Sequence, residues 1–124
     1  MDAILVLGCN SGNNKETILQ KAVKELETIG KIIKKSPIYE SPDYLGSGRS
    51  YLNLIVKMDF TISETRVNTR LKFIELEFGR DDVARERGEV PLDIDIVVWD
   101  GSVKRDKDYK STYFIKGMKL MEEN

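Results

Sequence analysis

The chain has 124 residues, 40% hydrophobic and 33% charged, which suits one globular domain burying roughly two thirds of its unfolded surface. A formal net charge of −1 argues against nucleic-acid binding through a strongly basic face, and no apolar run approaches the ~20 residues a membrane-spanning helix needs. There is no histidine, so imidazole metal sites and Ser-His or Cys-His nucleophilic machinery are excluded.

Met1-Asp2 leads straight into a strand pattern, with neither a basic leader nor a cleavage-site signature. The lone Cys9 cannot form an internal disulfide. Together these predict a cytoplasmic protein. Ala3 to Gly8 is nearly all apolar and predicts a central strand, followed by a turn-rich loop from Gly8 to Asn14. Asn14 then caps a helix whose apolar stripe is Ile18, Leu19, Ala22, Val23, Leu26 and Ile29, closed by Gly30. Lys31 to Tyr39 predicts a strand, and Glu40 to Ser50, with Pro42, Gly46 and Gly48, a loop. Tyr51 to Phe60 alternates: Leu52, Leu54, Val56, Met58 and Phe60 on one face, Tyr51, Asn53, Ile55, Lys57 and Asp59 on the other. Thr61-Ile62-Ser63-Glu64 has the form of a capping box opening a helix through Phe78, which Gly79 ends.

The polar stretch Arg80 to Val90 leads to Pro91-Leu92-Asp93-Ile94-Asp95-Ile96-Val97-Val98-Trp99, a strand bounded by the Asp100-Gly101 turn. The order is β-α-β-β-α-β, which predicts an α+β class and a ferredoxin-like sandwich, an antiparallel sheet with two helices on one face and none on the other. The expected core spans residues 3–100 of a single domain. The basic tail, residues 101–124, with Lys104, Arg105, Lys107, Lys110, Lys116 and Lys119, reads as a hairpin return plus a short helix.

If Leu92, Ile94 and Ile96 face the helices, Asp93 and Asp95 share the other face, roughly 7 Å apart by the strand rise. Paired carboxylates repel and call for a cation, and magnesium is often held by one or two carboxylates plus substrate phosphates. Tyr51 and Asn53 share that face by the same alternation, offering a flat ring and a two-way amide. A solvated edge strand carrying two Asp residues is the plainer explanation of the pair taken alone.

Gly8-Cys9-Asn10, Tyr39-Glu40-Ser41-Pro42, Tyr51-Leu52-Asn53, Ile74-Glu75-Leu76 before Gly79-Arg80, and Leu92-Asp93-Ile94-Asp95-Ile96 occur in this order. The ordered set resembles the hydroxymethyl-dihydropterin pyrophosphokinase family of folate biosynthesis. The resemblance implies magnesium-dependent transfer of pyrophosphate from ATP to 6-hydroxymethyl-7,8-dihydropterin. It implies that Asp93 and Asp95 hold two magnesium ions and that Arg80 is catalytic beside them. It further implies pterin contacts at Gly8, Ser41, Pro42, Tyr51 and Asn53, and ATP contacts at Lys72, Glu75 and Ile96. The expected partners are the two small molecules, with no nucleic acid and no membrane, in a monomer or weak homo-oligomer.

Two regions depart from the resembled pattern. Arg87, Glu89 and Val90 stand where it has a basic loop with a second arginine, and Arg80, Arg85 and Arg87 are outnumbered by Asp81, Asp82, Glu86 and Glu89. A net acidic loop opposes a triphosphate. Tyr113-Phe114 stands near its Pro-His motif, and Phe114 can cover a ring or join the core. The alternative expectation is therefore a relative that binds pterin or nucleotide without turnover.

Overall fold

The computed structural model describes residues 1–42 and 50–123. The first apolar run is strand β1 (Asp2–Cys9), and helix α1 (Lys15–Leu26) follows with Asn14 at its N-cap. Next come β2 (Lys31–Lys35), β3 (Tyr39–Pro42) and β4 (Ser50–Asp59). The second long helix, α2 (Glu64–Glu77), is capped by Ser63, whose hydroxyl accepts from Arg66 N. The capping residue is thus Ser63 and not Thr61, so the helix starts later than the box predicted. The chain continues with α3 (Asp82–Glu86), β5 (Asp93–Trp99), β6 (Ser102–Val103), α4 (Asp106–Tyr109) and α5 (Thr112–Glu122). The class is α+β, with six strands and five helices among the described residues.

Strand Lys31 to Tyr39 does not run unbroken. Pro37 has no N–H for the ladder, so pairing lapses and resumes as β3, which pairs with β4 through residues predicted to be loop. Buried Ser36 bridges the lapse: its N donates to Ile55 O, and its hydroxyl accepts from Ile55 N, both at 2.9 Å. The rest of that loop expectation, with Gly46 and Gly48, lies outside the described residues. The polar stretch after Arg80 likewise contains α3, because Asp81 caps it by accepting from Ala84 N at 2.9 Å.

The sheet order is β2-β4-β1-β5-β6, with β3 also on β4 and every pairing antiparallel. One face packs Leu5, Leu7, Val56, Met58 and Ile94 beneath Leu19, Leu26, Val67 and Leu71 of α1 and α2. The other face was expected to carry no helix. It carries α5: Phe114 and Met121 pack on Val6, Ile55, Val97 and Tyr39. The reason is apolar side chains on that face that water would otherwise meet. Ile55 and Val6 are two, and a register shift opposite Ile4/Leu5 turns consecutive Val97 and Val98 to the same side. Phe114, 2% exposed, is core here. Asp100 (φ 48) and Gly101 (φ 81) form a two-residue turn with both φ positive, the twist that suits a tight hairpin, so β6 pairs back on β5 as predicted.

Candidate active site

α5 leaves one end of its face to polar side chains, and the sheet register aligns them. Tyr39 pairs with Asn53, Asn53 with Gly8, and Gly8 with Asp93, a single row across β3, β4, β1 and β5. Side chains at paired positions share a face, so Asn53 and Asp93 stand on either side of a position with no side chain. At about 4.8 Å per strand the gap between them spans about 10 Å. A Cβ added to Gly8 would meet Tyr51 Cδ1 at 3.4 Å and Asn53 Oδ1 at 3.5 Å, so a larger side chain there would occupy the gap. One wall is pre-organised: Asn53 is buried, and its Nδ2 donates to Ser41 Oγ at 2.7 Å, leaving the amide oxygen toward Gly8.

The opposite wall is acidic. The next row pairs Val6 with Asp95, placing Asp93 and Asp95 on one face as alternation requires. Asp93 is 32% exposed and Asp95 13%. Burial, with Asp93 beside it, pushes the Asp95 carboxyl up to about 7. Burial also opposes ionisation of Asp93, but its hydrogen bond with Asp95 and the Arg80 charge outweigh that and hold its carboxyl below the usual range. The pair thus resists carrying two negative charges by itself.

Arg80 Nη1 binds Asp93 Oδ1 and also Glu75 Oε2, the latter at 2.9 Å. Glu75 is 3% exposed and fully engaged: Oε2 accepts Ile94 N at 2.8 Å, and Oε1 meets Lys72 Nζ at 3.2 Å. Burial pushes its carboxyl up, against the pull of the Ile94 N–H and Arg80. This buried acid therefore ties α2 to β5 and aims Arg80 at Asp93. On the far side Arg105 Nη1 stands 3.6 Å from Asp95 Oδ1. Asn10 anchors the preceding loop: its N donates to Val90 O (2.9 Å), its Oδ1 accepts from Val90 N (2.5 Å), and its Nδ2 donates to Gly88 O (3.3 Å).

A sequence profile for 7,8-dihydro-6-hydroxymethylpterin pyrophosphokinase (HPPK) matches residues 4–121. The chain belongs to the HPPK family. No curated protein matches it significantly. The family suggests pyrophosphate transfer in folate biosynthesis, and HPPK enzymes in general bind a pterin and ATP and use magnesium. The match runs through the tail that departs from the resembled motifs, so α4 and α5 belong to the family domain. Among the described residues no helix is long and apolar enough to cross a membrane.

Against the HPPK expectations, the structure brings Gly8, Ser41, Tyr51, Asn53, Asp93 and Asp95 to one face, and Lys72, Glu75 and Arg80 to its edge. Pro42 ends β3 opposite Ser50. The Ile96 side chain is buried in the core beneath the helices, opposite the acid pair, which leaves its main chain as the part that can face a ligand. Glu75 reaches the edge with both carboxylate oxygens already partnered. Arg85 and Arg87 are exposed, on α3 and its C-cap. Arg105 and Asn10 are the residues to which the sequence assigned no role. Hairpin pairing counted back from the Asp100-Gly101 turn carries the signal for Arg105; nothing local carries one for the Asn10 clamp.

The donor set fits a magnesium ion that brings its remaining ligands with it. Among the described residues no three Asp, Glu, Cys or His side chains converge on one point, so Asp93 and Asp95 alone would hold the ion, with one oxygen each if both bind through a single atom. Magnesium accepts such a set when phosphate and water fill the other positions. A divalent charge on the pair would also remove the repulsion that raises Asp95.

Proposed function

We propose that this chain transfers pyrophosphate from ATP to the hydroxymethyl group of 6-hydroxymethyl-7,8-dihydropterin, with a divalent cation held by Asp93 and Asp95. We read its β2-β4-β1-β5 sheet core, with α1 and α2 on one face, as a ferredoxin-like sandwich with additions. The observation that carries the reading is the row Asn53–Gly8–Asp93, a hydrogen-bonding wall and a carboxylate wall on either side of a position with no side chain, with the Tyr51 ring beside it.

The amide of Asn53, steadied by Ser41, offers donor and acceptor groups to the edge of a heteroaromatic ring, and Tyr51 offers a flat surface. Asp93 and Asp95 would hold magnesium, which neutralises triphosphate charge and fixes its geometry. The pterin hydroxyl oxygen attacks the β-phosphorus. The bond from that phosphorus to the bridging oxygen breaks, AMP leaves with that oxygen, and the hydroxyl proton passes to solvent. Positioning and charge stabilisation do the catalysis, so the missing histidine is no obstacle. Arg80, fixed between Glu75 and Asp93, supplies positive charge at the site's edge.

Incubation with ATP, magnesium and the hydroxymethyl-dihydropterin should release AMP in step with pterin pyrophosphate. Binding of both ligands with no AMP would establish a binding protein instead, the alternative that the acidic loop favours. Binding of neither would end the reading. Gly8→Val should weaken pterin binding at least tenfold by calorimetry and leave the unfolding temperature level, because Val suits a strand and only the gap is filled. Unchanged pterin affinity would place the ring elsewhere.

A further inference from the structure

Helix α5 has two apolar sides, and the sheet takes only one of them. Phe114, Gly117 and Met121 are buried toward the sheet, whereas Ile115, Met118 and Glu122 follow at helical spacing along the neighbouring stripe. Between that stripe and the end of α4 runs a groove of about 520 Å³. Its middle is apolar, formed by Tyr109, Phe114, Ile115 and Met118, with Tyr109 44% and Ile115 58% exposed. Water meets these side chains in a single chain, at a cost of about 25 cal/mol per Å² of apolar surface left uncovered.

Charges stand at the two ends. Lys110, ion-paired with Asp106 at 3.0 Å, lies where α5 begins, and Lys119 and Glu122 lie where it finishes, roughly 16 Å further along by the helical rise. Among the described residues neither Lys119 nor Glu122 has an ion-pair partner.

We propose that this groove is the interface of a homodimer, with α5 lying antiparallel to α5 of a second copy across a two-fold axis. Two-fold symmetry selects that occupant. Such an interface matches a patch with itself, so that residue i meets j and j meets i. Helices crossing near Lys116 bring Lys110 to the partner's Glu122 at both ends and Ile115 to the partner's Met118 in the middle, because both pairs are centred on the same turn. Asp106 is at hand for the partner's Lys119. These two acids and two bases sum to zero, so the groove exerts no net pull on an anionic lipid surface or an acidic peptide, whereas an antiparallel copy satisfies both ends.

Burial of Ile115 and Tyr109 drives the association, and the charges set its direction. Four apolar side chains per copy make a small seam beside the roughly 20–30 residues a side of a standard stable interface, so a dimer of micromolar affinity is expected. None of these residues belongs to the Asn53–Gly8–Asp93 row, so the dimer stands independently of the pyrophosphokinase reading.

Sedimentation equilibrium of the full chain from about 1 to 500 μM should show monomers in exchange with dimers. Ile115→Glu should weaken dimerisation at least tenfold, since a charge replaces the apolar side chain at the centre. Lys110→Glu sets acid against acid at both ends, and Glu122→Lys sets base against base, so each variant alone should also dimerise at least tenfold more weakly. An equimolar mixture of those two variants should recover the parent affinity, because opposite charges meet again. A variant weakened by misfolding would not recover on mixing. The Lys110 side chain is 71% exposed, so its reversal leaves the fold in place. If Ile115→Glu fails to fold by circular dichroism, Ile115→Ser takes its place under the same criterion. A parent chain that stays monomeric across the range would overturn the inference. So would a dimer indifferent to these changes, a mixture no tighter than its components, or assembly beyond the dimer, which marks an open contact.

Discussion

Asp95→Asn should cut AMP release by about three orders of magnitude while leaving the ligand-free protein at least as stable as before. The loss follows from removing one of two carboxylates that hold the cation: several kcal/mol of charge stabilisation goes with it, at tenfold per 1.36 kcal/mol. Stability follows a different rule. Asp95 is 13% exposed, next to Asp93, and burial with that neighbour lifts its carboxyl to about 7. Asparagine keeps the shape and removes the charge that the site resists, so the repulsion it relieves offsets the weak 3.6 Å contact with Arg105 that it loses. Assays of AMP release and thermal melts on the same samples separate the two effects. Turnover within tenfold of the parent would mean that the cation is held elsewhere. A sharply lowered melt would mean that the ion pair is part of the scaffold.

Gly117→Ala should destabilise the fold by about 2 kcal/mol, which for a domain of this size lowers the unfolding temperature by roughly 6–10 °C. In an exposed helix the same change would help by up to about 1 kcal/mol, because alanine restricts the unfolded chain and favours the helix. Here a methyl on Gly117 would stand 2.3 Å from Tyr39 Oη and 2.4 Å from Ile55 Cγ1. Carbon contacts are comfortable at about 3.5–4.0 Å, so the steric cost outweighs the propensity gain. Tyr39 has little freedom to retreat, since its hydroxyl donates to Tyr113 O at 2.7 Å within the buried cluster beneath α5. A raised or unchanged melting temperature would show that α5 does not rest on the sheet.

That helix also marks where periodicity stops being informative. Alternation correctly assigned Ile55 to the same face as Tyr51 and Asn53, but a single isoleucine among polar neighbours carries no instruction about what covers it. The cover comes from a helix some sixty residues away, and a register shift adds Val97 and Val98 to the surface needing it. Ile96 was expected at the nucleotide because of its place in the Leu-Asp-x-Asp-Ile motif. Alternation alone puts its side chain in the core, which is where it is found. Glu75 shows the converse. A polar residue on α2 reads as surface, yet the main-chain N–H of Ile94 and two cations make burial tolerable.

The amino-acid sequence by itself determined the α+β class, strands β1, β4 and β5, helices α1 and α2, and the sharing of one face by Asp93, Asp95, Tyr51 and Asn53, because those follow from side-chain period and turn chemistry within short windows. Its ordered motifs also carried the family. Only the tertiary structure decided that Gly8 lies between the amide wall and the acidic wall, that Asn10 clasps the loop at Val90, and that Arg105 covers Asp95. Each of these is a pairing between distant segments, set by strand register and by the need to bury apolar surface and partner polar groups across the whole sheet.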